Sequence, residues 1–164
     1  HGFWYNRNIH PYTEYRMRRN TLTEYAASIR LPLDLDDEYD LRPFIRNVAP
    51  DIENRCGVCY RMRLFKAAEY ARDHGYTAFS TTLLISPYQS HDLLQAVAHQ
   101  AEREYGVPFL YRDFRPLFRE GQNEARALGL YMQKYCGCIF SEEDRYLAAK
   151  RRKRAERAAK EAVQ

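Results

Sequence analysis

The chain has 164 residues, 45% of them hydrophobic and 14% aromatic, which suits one domain with a packed core and excludes a disordered composition. No apolar run approaches the ~20 residues of a membrane span, and no signal-peptide pattern opens the chain, so a cytoplasmic protein with no membrane partner is expected. Of the net charge of +4, residues 150–164 supply seven Lys/Arg against two Glu, so the pI near 8.9 reports a basic tail on a nearly neutral body.

Phe3-Trp4-Tyr5 reads as the end of a buried strand, and Asn6 to Pro11 as a polar loop. His1 is not an initiator Met, so the chain is expected to begin inside its domain, with an N-terminal strand missing. A helix follows from Tyr12 to about Arg30, with Tyr15, Leu22, Tyr25, Ala26 and Ile29 as its apolar positions. Leu31 to Leu35 alternates with period two and predicts a short strand. The five acids between Asp34 and Asp40 read as a solvated turn before a short helix near Leu41–Val48, which Pro50 stops.

Gly57 to His74 predicts a strong helix, with Val58, Met62, Phe65 and Ala68 on one stripe, Leu64 and Ala71 beside it, and Gly75 as its stop. Tyr76 to Leu84 is rich in β-formers and predicts a strand ending in Ser80-Thr81-Thr82. A helix from His91 to Glu104, a strand from Val107 to Tyr111 and a helix from Gln122 to Leu128 follow, and Ser141-Glu142-Glu143 opens a last helix that enters the basic tail.

This alternation predicts an α/β fold, a mainly parallel sheet flanked by helices, in one catalytic domain over residues 1–149 with a basic helical or disordered tail over 150–164. Ligands of such sheets gather beyond the carboxyl ends of the strands, which would put Asn6–His10, Ser80–Ser86 and Asp113–Arg115 on one rim.

The chemistry centres on four cysteines. Cys56 and Cys59 form a Cys-x-x-Cys at a helix start, where backbone N–H groups and the helix dipole favour thiolate, and Cys136 and Cys138 form a Cys-Gly-Cys. Four thiolates suit a structural zinc ion or an iron–sulfur cluster, and a close pair also suits thiol–disulfide exchange, with Gly137 easing the tight ring. Four inert buried cysteines are the bland alternative, and spacing does not choose among the first three.

Five blocks carry a resemblance. Residues 3–12 (FWYNRNIHPY), 55–64 (RCGVCYRMRL), 79–88 (FSTTLLISPY), 105–115 (YGVPFLYRDFR) and 131–141 (YMQKYCGCIFS) together resemble the QueH-type epoxyqueuosine reductases, in that family's order and spacing. The resemblance implies an adenine-nucleotide-hydrolase-like (HUP) α/β fold. It implies reduction of the epoxide of epoxyqueuosine, at the tRNA wobble position, to the alkene of queuosine. A 4Fe-4S cluster, with a possible additional iron ion and no cobalamin, belongs to that expectation, as does an unidentified electron donor. Cys56 and Cys59 match the family's cluster ligands, and Cys136 and Cys138 match its redox-active pair.

Two departures stand out. Arg7 replaces the family's usual proline, with no expected consequence beyond loop stiffness. The family's adjacent upstream cysteines are absent, so the remaining ligands are expected before residue 1 and this chain alone is expected to be weakly active.

Asn6, Asn8, Tyr12 and the neighbouring His10 are candidate contacts to the modified base or the cluster surroundings, against ordinary loop hydrogen bonding. Ser80, Thr81, Thr82 and Ser86 suit a phosphate or ribose, against turn chemistry. Tyr111, Arg112, Asp113 and Arg115 suit a splayed base and its phosphate, against a structural Arg–Asp pair. Lys150–Arg154 suits an RNA backbone, against a solvated tail. The competing function from another class is a zinc-stapled, non-catalytic RNA-binding module. A thioredoxin-like oxidoreductase is less well matched, because its Cys-x-x-Cys follows the first strand.

Overall fold

The structure is a computed structural model that describes residues 1–161. It is α/β, with a small parallel sheet and mostly helices. Strand β1 (Gly2–Tyr5) and strand β2 (Leu33–Asp36) pair in parallel, Gly2 opposite Leu33 and Tyr5 opposite Asp36, and helix α1 (Tyr12–Ser28) makes the crossover between them. Helix α2 (Leu41–Val48) follows, then α3 (Arg55–Asp73), α4 (His91–Tyr105), α5 (Phe118–Ala127) and α6 (Ile139–Glu161).

The apolar core lies between α3 and α4. Tyr60, Leu64, Ala68 and Ala71 recur at helical spacing on α3 and face Leu94, Val97, Ala98 and Ala101 on α4. The small alanines allow close approach, while Phe65, Phe79 and Phe109 fill the margins. The α3 stripe is therefore rotated from the expected one: Val58 and Met62 remain partly exposed beside Asn47 and Arg61, in a groove of about 490 Å³. Gly75, at φ 70°, ends α3 in a Schellman turn, with the Tyr76 N–H donating to Ala71 O at 2.8 Å.

Two expected strands are corrected. Tyr76–Leu84 and Val107–Tyr111 meet only at a single parallel bridge, Phe79 opposite Phe109. After that bridge the Ser80 hydroxyl takes the Leu110 carbonyl at 2.9 Å, and Thr81 caps a 3-10 turn over Thr82–Ile85. Side-chain hydroxyls thus replace the ladder that β-propensity predicted. In β2 the expected alternation also fails, because Leu35 is 41% exposed.

A second, smaller cluster surrounds β1. Trp4, Ile9 and Tyr15 pack together, the Trp4 indole N–H donates to the Tyr15 hydroxyl at 3.2 Å, and that hydroxyl donates to Asp37 at 3.0 Å. The acid-rich turn is not merely solvated. Arg7 pairs with Asp36 at 2.9 Å, Glu38 at 2.6 Å and Asp40 at 2.7 Å, and Arg19 pairs with Asp37. Arg7 therefore staples the β1–α1 loop to the β2–α2 turn, a role beyond stiffness. No helix among the described residues is long and apolar enough to cross a membrane.

Candidate active site

Both cysteine pairs sit at helix beginnings. Cys56 and Cys59 lie in the first two turns of α3, and Cys136 and Cys138 in the loop that enters α6. All four are free thiols, Cys56 and Cys136 exposed and the other two partly covered. The pairs converge closely enough for the charge of one to act on the other. Burial pushes the Cys56 thiol up, Arg55 opposes this, and Cys136, Cys138 and Asp144 add to it. Burial pushes the partly covered Cys59 thiol up to about 12. The helix N-terminus expected to favour thiolate is present at Cys56, but desolvation outweighs it.

The Cys136-Gly137-Cys138 loop is clamped from below by the N-terminal segment. The His10 N–H donates to Gly137 O at 2.8 Å, and the Tyr135 hydroxyl donates to His10 O at 2.6 Å. Arg18 donates to the carbonyls of Cys136 at 2.8 Å and Tyr135 at 2.9 Å, while its Nε reaches Glu14 at 2.7 Å. Tyr131 donates to the other Glu14 oxygen at 2.5 Å, so one buried carboxylate gathers α1 and the cysteine loop. Gly137 leaves little room: a Cβ there would meet Ile9 Cγ1 at a tight 3.3 Å, with Arg18 and Asn8 nitrogens in ordinary contact at 3.5 Å. Ser141 completes the turn, accepting from the Gly137 N–H at 3.1 Å and donating to Cys138 O at 2.7 Å.

Around the sulfurs themselves stand Arg55 and Gln89. Arg55 donates to Ile52 O at 3.0 Å, pairs with Asp144 and lies 5.7 Å from the centre of the Phe140 ring, and the nearby Cys138 and Cys56 help hold its guanidinium charged. Gln89 Nε2 lies 3.4 Å from Cys136 Sγ, and Gln89 Oε1 accepts from the Tyr60 hydroxyl at 2.8 Å.

The other candidate residues fall into separate settings. Asn6 and Asn8 are buried, Asn8 beside Gly137 with its Oδ1 unpaired, while Tyr12 is half exposed and packs edge-on against Tyr39. His10 is fully buried against Tyr39 and Phe44, and neither ring nitrogen makes a well-formed hydrogen bond. Burial lowers its pKa to about 4, although backbone groups of Arg7 and Asp40 pull the other way. Its neutral ring makes it a packing residue at ordinary pH.

The Ser80 and Thr81 hydroxyls serve the turn described above, Ser86 Oγ accepts from the Tyr88 N–H at 3.3 Å, and Thr82 is exposed. Ser86 leads back to the thiols, since Gln89 follows three residues later. Arg112 is exposed. Arg115 holds Asp113 through Nε at 2.8 Å and Nη2 at 2.6 Å, keeping that carboxyl down at about 2.

Glu14, Arg18, Gln89 and Tyr60 were missed by sequence reasoning. Glu14 and Arg18 carried one signal, opposite charges four residues apart, but their target lies 117 residues downstream. Gln89 carried none.

The donor set suits a soft cation: converging thiolates repel one another, and a bound cation removes that repulsion. The geometry is not closed, because among the described residues no three His, Cys, Asp or Glu side chains stand together as a metal-holding group.

Two pairs of free thiols at helix beginnings of an α/β chain suit the class of thiol-dependent redox or metal proteins. Comparison narrows it. The family model "Epoxyqueuosine reductase QueH" matches residues 1–144. An epoxyqueuosine reductase QueH of Dehalococcoides mccartyi is 37% identical over 144 residues, 88% of this chain and 79% of the relative. That of Thermotoga maritima is 34% identical over 94% of this chain and 82% of its own length, and that of Haemophilus influenzae 31% identical over 87% and 61%. The chain belongs to the QueH epoxyqueuosine reductase family.

Proposed function

We propose that the protein is an oxidoreductase that converts epoxyqueuosine in tRNA to queuosine in the cytoplasm. The observation that carries this reading is the family match over residues 1–144, a span that includes all four cysteines. The HUP-like fold expected from the sequence belongs to the same reading.

The chemistry balances on the chain's own dithiol. Two C–O bonds of the epoxide break, a C=C bond forms, and oxygen leaves as water after taking two electrons and two protons. Cys136 and Cys138 supply both as their thiols join in one S–S bond. Cys56 and Cys59 would be among the ligands of a 4Fe-4S cluster, which would supply single-electron transfer and Lewis-acid polarisation of the epoxide oxygen. An external electron donor returns the disulfide to the dithiol.

Arg55, paired with Asp144 and with its side chain 17% exposed, keeps positive charge next to the departing oxygen. The clamp of Arg18, Tyr135 and His10 fixes the backbone of the pair, so the thiols need no search to reach each other. Lys150, Arg152, Lys153 and Arg154 are exposed along α6 and attract the tRNA backbone, and Tyr12, Thr82 and Arg112 are the exposed candidates for contact with the base and its phosphate.

The test is anaerobic incubation with epoxyqueuosine-containing tRNA and a chemical reductant, followed by nucleoside mass spectrometry. Queuosine appears with the wild-type chain and not with Cys136→Ser. Equal yields from both, or none from either, would refute the proposal.

A further inference from the structure

We propose that Gln89 is a positioning residue for Cys136: its amide, aimed by Tyr60, donates to the Cys136 sulfur and stabilises the reduced form of the cysteine pair. The inference rests on the reading of Cys136 and Cys138 as a redox pair and names a device outside the four cysteines that tunes it.

The direction of the amide follows from the hydrogen bonds. The Ser90 backbone N–H donates to the Tyr60 oxygen at 3.2 Å, so that hydroxyl has its own hydrogen to give, and it gives it to Gln89 Oε1 at 2.8 Å. With its oxygen committed to Tyr60, Gln89 turns its NH2 group toward Cys136 Sγ, 3.4 Å away. Tyr60 is 2% exposed and packed in the α3–α4 core, so the aiming group is itself immobile. The pairing also ties the α4 entrance to a loop 47 residues downstream.

A reduced sulfur, as thiol or thiolate, is a better acceptor than the same sulfur in a disulfide. Oxidation of the pair removes two protons and two electrons and forms one S–S bond, and the Gln89 contact loses strength in that step. The contact therefore favours the dithiol and makes the disulfide a stronger oxidant than it would otherwise be.

The experiment equilibrates the full chain anaerobically with glutathione at graded thiol-to-disulfide ratios. Glutathione disulfide accepts the two electrons and two protons and becomes two glutathione thiols. The fraction of the Cys136–Cys138 disulfide is read by differential alkylation and peptide mapping, independently of epoxyqueuosine turnover.

Gln89→Leu shifts the equilibrium about five- to tenfold toward the disulfide, the worth of one hydrogen bond to a reduced sulfur. Gln89→Glu shifts it further in the same direction, since a carboxylate gives no hydrogen and repels thiolate. Tyr60→Phe, which frees the amide to rotate, gives a smaller shift of the same sign.

Unchanged equilibria in Gln89→Leu and Gln89→Glu, a shift of Gln89→Glu toward the dithiol, or failure of the disulfide to form at any ratio would each overturn the inference. A glutamine-dependent shift in a chain that leaves epoxyqueuosine-tRNA untouched would support this inference while refuting the proposed function.

Discussion

The two halves of the molecule are held together by different physics. Between α3 and α4 the interface is almost wholly apolar, and Leu64, Ala68, Leu84, Leu94, Ala98 and Ala101 have no exposed surface. Around β1 and α1 the buried groups are Asn8, His10 and Glu14 beside Trp4, Ile9 and Tyr15. That half is closed by directed bonds from Arg7, Arg18, Tyr131 and Tyr135. The apolar half carries Cys56 and Cys59 on its helix, and the polar half grips Cys136 and Cys138. Apolar packing gives stability without direction, while hydrogen bonds and ion pairs fix where a backbone sits.

Substitutions should separate the two regimes. The largest effect is expected at Leu64, which is 0% exposed: Leu64→Ala should lower unfolding free energy by about 4 kcal/mol in urea titrations, through lost burial and an unfilled cavity. Alkylation of Cys136 in the folded state should hardly change, because nothing in its clamp is touched.

Arg18→Ala is the complementary change. With both side chains of the Arg18–Glu14 pair about nine-tenths buried, leaving Glu14 without its partner should cost about 3 kcal/mol. Two carbonyls of the cysteine loop also lose their donor, so alkylation of Cys136 should change severalfold well below the unfolding transition. Equal loop reactivity in Leu64→Ala and Arg18→Ala would break the comparison.

His10 gives a pH-dependent version of the same contrast. Its folded pKa of about 4 lies below the ordinary 6.5, so the unfolded chain binds more protons between those values. His10 therefore leaves stability unaffected above pH 6.5 and removes it as pH falls toward 4, by at most about 3 kcal/mol. Urea titrations at pH 7 and pH 4.5 should show the wild type losing more stability than His10→Gln. The smallest change is Gly137→Ala, where the close approach to Ile9 should cost about 1 kcal/mol and raise the mobility of the pair, read by the same alkylation rate.

What was legible in the sequence follows this division. Helical periodicity located α1, α2, α3 and α4 to within about two residues at their ends, because their buried faces repeat locally. The phase of α3 was misjudged, since Tyr60 rather than Val58 leads the buried stripe, and a tyrosine with a hydrogen-bonded hydroxyl is easily read as a surface residue. The strands at Phe79 and Phe109 shrank to one bridge because hydroxyl-to-backbone bonds at Ser80 and Thr81 end the pairing. At the site, cysteine spacing pointed to the thiols but said nothing of Arg18, Glu14 or Gln89. Their distant partners are contributed by residues 131, 135 and 136, and local spacing carries no trace of a contact so distant in the chain.

The most direct test is a single turnover. The chain is reduced, freed of excess reductant under anaerobic conditions and mixed with a substoichiometric amount of epoxyqueuosine-containing tRNA. Queuosine and the Cys136–Cys138 disulfide are then counted in the same sample. One disulfide formed per queuosine is the result expected if the clamped pair supplies the two electrons. Queuosine formed while both thiols stay reduced would contradict it.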